Sequence, residues 1–91
     1  MRKKQLPASV VIGKSEWQIQ EEPEDELRER YGGCMYDTKT IHIYNHKDHR
    51  TKAGLFSTFI HEIIHARNKS LSEKAVSDTE EAIMRIFRQL F

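Results

Sequence analysis

The run His61-Glu62-Ile63-Ile64-His65 constrains this chain more than any other feature, because its chemistry requires a helix. Residues four apart on a helix lie one above the other, so His61 and His65 can aim two imidazoles at one point. Glu62 is turned by about 100° from His61 and reaches the rim of that point without sharing its face. Two nitrogen donors beside a non-ligating carboxylate suit a zinc ion, with an acid placed to take a proton from water at the metal. The surrounding segment supports the helix, since Ala53, Phe56, Phe59, Ile60, Ile63 and Ile64 fall on one apolar stripe. Gly54 and Thr58 share the histidine face one and two turns earlier. A helical glycine costs roughly 1 kcal/mol relative to alanine, but it leaves room above the histidines for a substrate or a crossing backbone.

Charge and cysteine content exclude several other chemistries. Fifteen basic and fourteen acidic side chains give a net charge of +1, so nothing electrostatic argues for nucleic acid. The clusters Arg2-Lys3-Lys4 and Lys47 to Lys52 are diluted by acids and histidines and read as solvated surface. Cys34 is the single cysteine, which rules out an intramolecular disulfide or a thiolate zinc site and fits a reducing compartment. It reads as a buried strand residue. No apolar run has the length of a membrane span, and the first residues lack the hydrophobic segment expected of a secretory signal. The expectation is a cytoplasmic protein of one domain, residues 1–91, with 1–7 as a loose arm.

The pattern along the chain predicts strands first and helices last, which means α+β. Val10-Val11-Ile12 and Trp17-Gln18-Ile19-Gln20 read as two strands joined by a turn at Gly13-Lys14. Pro23 to Arg30 suits a short helix, with Pro23 and acids in its first turn. Cys34 to Tyr36 and Thr40 to Tyr44 form a hairpin around Asp37-Thr38-Lys39, with Ile41 and Ile43 facing the core. Asp48 is a candidate cap for the motif helix, which runs to about Asn68. A last helix follows, with an apolar stripe of Val76, Ile83, Ile86, Phe87 and Leu90. Ser70-x-x-Glu73 and Ser77-x-x-Glu80 both fit a capping box at its start.

A catalytic zinc normally takes three protein ligands and leaves a position for water. A third histidine would have to be His42, His46 or His49. The alternative is an acid from the last helix. A turn centred near Leu71 sets residues 77 to 81 of an antiparallel helix opposite His65 to His61, which offers Glu80 and Glu81. They are adjacent and point about 100° apart, so only one faces inward. Glu80 borders the apolar stripe and is the choice; Glu81 is the second candidate.

With His61-Glu62-x-x-His65 after the strands and a glutamate on the next helix, the chain resembles the zincin metallopeptidases. It looks most like the gluzincin branch, whose third ligand is that glutamate. Minigluzincins, small phage-encoded zincin-like proteins and the core of the ImmA/IrrE-like peptidases are the nearest likenesses, the last through Glu80-Glu81-Ala82-Ile83-Met84-Arg85-Ile86-Phe87. The resemblance spans roughly Val10 to Phe91, with only the His-Glu-x-x-His element highly specific. It implies a sheet of three or four strands packed on two metal-bearing helices. It also implies an edge strand that binds an extended peptide above the zinc, a role falling here to Thr40, Ile41, His42, Ile43 and Tyr44.

The expected activity is zinc-dependent hydrolysis of a peptide or protein substrate. His61, His65 and Glu80 hold Zn²⁺, and Glu62 serves as general base and then acid. Tyr44, His42 and Tyr36 are candidates for stabilising the oxyanion. Two other readings stand beside it. One is a non-catalytic zinc-binding interaction protein, closed by a fourth ligand such as His42 or His49. The other is a latent peptidase with an occupied cleft. Neither nucleic acid nor membrane is an expected partner; the apolar C-terminal helix offers a weak homodimer contact.

Overall fold

A computed structural model of the protein describes residues 6–22 and 31–90. The fold is α+β, a four-stranded mixed sheet packed on two helices. In chain order the strands are β1 (Ser9–Ile12), β2 (Ser15–Glu22), β3 (Gly32–Met35) and β4 (Thr40–Tyr44). A 3₁₀ turn, Lys47–Arg50, then leads into α1 (Lys52–Arg67) and α2 (Glu73–Leu90). The expected helix from Pro23 to Arg30 lies outside the described residues, as do positions 1–5 of the expected arm. Leu6, also assigned to that arm, packs against the core.

Both hairpins form where alternation and turn residues place them. β1 and β2 pair antiparallel with Val10 opposite Trp17, and β3 and β4 pair antiparallel with Cys34 opposite Ile41. The sheet order is β1-β2-β4-β3, closed in the middle by a parallel pairing of β2 with β4. That order corrects one expectation. Thr40, Ile41, His42, Ile43 and Tyr44 form an interior strand, hydrogen-bonded on both sides, so they cannot add a peptide strand. The edge next to α1 is β3. Ile41 and Ile43 face inward and are fully buried with Trp17, Ile19, Leu55 and Phe59.

The helix α1 presents Leu55, Phe59 and Glu62 as its buried face. This rotates the expected stripe, since Ala53 is exposed while Phe56 and Ile63 pack at the margin of the core. Its cap is Thr51, whose hydroxyl accepts the Gly54 N–H at 3.0 Å. Asp48 instead belongs to the separate 3₁₀ turn, capped by His46, whose Nδ1 accepts the Asp48 N–H at 3.0 Å. Neither predicted capping box starts α2. Ser72 caps it, accepting the Ala75 N–H at 3.1 Å, so the helix begins at Glu73. α2 packs on α1 through buried Val76 and Met84 and through Phe87, stacked on Phe56 at 4.9 Å between ring centroids. Ile83, Ile86 and Leu90, expected on that stripe, are exposed. Among the described residues, no helix is long and apolar enough to cross a membrane.

Candidate metal centre

His61 and His65 project from α1 toward the start of α2, with ring centroids 4.9 Å apart. Their Nε2 atoms meet one carboxylate, that of Glu73. Glu73 Oε1 lies 3.2 Å from His61 Nε2 and closes on His65 Nε2. Among the described residues, His61, His65 and Glu73 are the group whose ligand atoms could hold a metal ion, all within 4.8 Å of one another. Glu73 sits in the first helical turn of α2, where a carboxylate is favoured by the helix dipole.

Glu80 does lie opposite His61, as the helix register predicts, but it takes the other nitrogen. Its Oε1 is 2.9 Å from His61 Nδ1, and Ser57 donates its hydroxyl to Oε2. The structure therefore puts Glu80 behind the ring and Glu73 in front of it. An imidazole has two faces for bonding, and a register argument finds the residue alongside without saying which nitrogen it meets. A carboxylate on Nδ1 orients the ring and raises the basicity of Nε2. Glu81, the second candidate, points to solvent and pairs with Arg85 at 3.5 Å.

The electrostatics follow from these contacts. Burial alone would lower the His61 pKa, but hydrogen bonds to Glu80 and Glu73 outweigh it, and the net direction is upward. For Glu73, burial pulls upward and the hydrogen bonds from His65 and His61 prevail, so its carboxyl is held down. Each partner favours the charged form of the other.

Glu62 is 7 % exposed, on the helix face that packs toward the sheet. It lines the cleft together with His61, Glu73 and Gly32. The chain makes room for it by bringing β3 close. A Cβ on Gly32 would lie 2.7 Å from the His42 carbonyl oxygen and 3.4 Å from Glu62 Cγ. Gly54 answers a similar demand, because a Cβ there would collide with the Asp48 carbonyl. The space above the histidine face is thus crossed by backbone of the 3₁₀ turn.

The other histidines have separate tasks. His49 is buried, with Nδ1 2.7 Å from the Tyr44 carbonyl and Nε2 2.8 Å from the Thr58 hydroxyl. A carbonyl only accepts, so Nδ1 carries the proton and, in the neutral ring, Thr58 donates to Nε2. His49 therefore clasps β4 to α1 and has no nitrogen left for a metal. His42 and Tyr44 belong to β4, whose alternate residues Ile41 and Ile43 take the core side. Of the proposed oxyanion donors only Tyr36 borders the histidines, and its hydroxyl donates to the His65 carbonyl at 2.9 Å.

Cys34 flanks Tyr36 in the same wall. Burial, then the charge of Glu62, pushes its thiol up to about 11. Thiolate is the reactive form, so the folded protein at pH 8 is expected to react with a disulfide reagent about a hundredfold more slowly than the unfolded chain. Equal rates with and without denaturant would refute that environment. The chain matches no protein-family profile, no curated protein and no solved structure.

Proposed function

We propose that this chain is a zinc-dependent metallopeptidase of the zincin type, with His61, His65 and Glu73 as ligands and Glu62 as general base. The observation that carries this reading is the convergence of two Nε2 atoms and one carboxylate oxygen beside a buried, non-ligating carboxylate. Three donors among the described residues, two of which (His61 and Glu73) line a cleft of about 570 Å³, match the donor count of a catalytic site rather than a closed structural one. The occupied nitrogens of His49 speak against its closing the site as a fourth ligand.

When bound, zinc supplies Lewis acidity toward a carbonyl and toward water. Glu62 takes the proton of the attacking water and returns it to the departing amine. Glu80 and Ser57 hold the His61 ring in place through Nδ1. Gly32–Met35 replaces β4 as the strand that receives an extended peptide, because its outer edge is unpaired among the described residues and its first residues line the cleft.

The test is reconstitution. Chelated protein is expected to take up zinc in equimolar amount and to cleave an unstructured polypeptide only in that state. Protein that binds no zinc, or binds it and leaves a broad peptide library intact, would overturn the reading.

A further inference from the structure

We propose that the cleft beyond His61 and Glu62 is a subsite for a cationic side chain, a lysine or arginine of the peptide, received by Asp48. The inference rests on the metallopeptidase reading and adds the substrate class. Four carboxylates, Asp48, Glu62, Glu73 and Glu80, line this cleft, and among the described residues its lining contains neither lysine nor arginine. Three of the four already have tasks: Glu73 and Glu80 on the histidines, Glu62 as base. Asp48 remains.

Its carboxylate is pre-positioned, and among the described residues it meets no lysine or arginine. Tyr31 donates its hydroxyl to Asp48 Oδ2 at 3.1 Å, and the Tyr31 ring lines the same cleft. His46 Nδ1 is 3.7 Å from Oδ2 but already accepts the Asp48 backbone N–H, so this nitrogen brings no proton to the carboxylate. No other ion pair to Asp48 forms among the described residues. The floor between Asp48 and His61 consists of Gly54, Ser57 and Thr58, side chains too small to fill it. Gly54, against which the Asp48 carbonyl rests, is seven residues from His61, roughly 10 Å along the helix. That span matches the reach of a long basic side chain plus one hydrogen bond. The negative field of the wall favours a cationic side chain and opposes an acidic one.

The experiment compares zinc-loaded protein on quenched peptides that differ at one position flanking the scissile bond: lysine, arginine, norleucine or glutamate. The expected kcat/KM ratio of lysine over norleucine is on the order of tenfold. It falls toward one in Asp48→Asn, which keeps the shape and an oxygen for Tyr31, and Asp48→Lys shifts preference toward glutamate. Binding of the same peptides to zinc-loaded Glu62→Gln, read by fluorescence anisotropy, tests the subsite without turnover. Cleavage with no basic preference, or a preference unchanged in Asp48→Asn, overturns the subsite and leaves the hydrolase reading standing. Zinc-loaded protein that neither cleaves nor binds any of the peptides overturns both.

Discussion

Glu73→Ala is expected to weaken zinc binding on the order of a thousandfold, Glu80→Ala by roughly ten- to a hundredfold, and Glu81→Gln not measurably. Zinc sites in small folding units bind with roughly 10–16 kcal/mol. Loss of one donor from a set of three then costs about 4 kcal/mol, which is the thousandfold. Glu80 acts one bond further out, on His61 Nδ1, where removal of an outer partner typically costs about 10–100-fold. Glu81 faces solvent beside Arg85, so its change touches nothing at the site. Glu80→Gln should recover much of the alanine loss, because its amide oxygen can still accept from Nδ1. Competition against a chromophoric chelator gives the numbers. Metal binding needs neutral imidazole, and the His61 pKa is raised, so affinity falls as pH drops through that value. Measurement at about pH 8 keeps proton competition from masking the order. If Glu80→Ala loses more than Glu73→Ala, the acid of the third helical turn is the ligand and the assignment reverses.

That order also marks what local pattern can deliver. Period-two alternation identified β4 and the side of Ile41 and Ile43, because burial of one face leaves that trace. It carries no information on which strand lies beyond. The parallel neighbour of β4 is β2, far away in sequence, so no local signal opposes the edge position that the zincin resemblance implies for Thr40–Tyr44, and the strand sits inside. The motif helix is legible from its apolar content, but that content does not fix its rotation. Glu62 occupies a position equivalent to Leu55 and Phe59, and a hydrophobic pattern discounts a carboxylate there. Glu73 falls outside the 77–81 window that a turn centred near Leu71 sets opposite the histidines, because that register aligns backbones and ignores the reach of a side chain at the helix start. Ser72 caps α2 without needing an acid three residues later, and so frees Glu73 to turn toward the histidines.

Glu62→Gln is expected to reduce peptide hydrolysis by about 10²–10⁴-fold while zinc remains bound. General acid–base catalysis contributes about that much. Glutamine matches glutamate in size, so the packing beneath Gly32 is retained; it cannot take a proton from water. The position makes a second readout informative. A carboxylate buried where its helix otherwise presents Leu55 and Phe59 carries a desolvation cost that a neutral amide largely avoids. The thermal midpoint of the variant should therefore not fall, even as activity does. A loss of activity with intact zinc and intact melting isolates proton transfer as the function of Glu62. A fall in zinc content would assign the loss to the metal, and activity within tenfold of the parent protein would remove Glu62 from the reaction altogether.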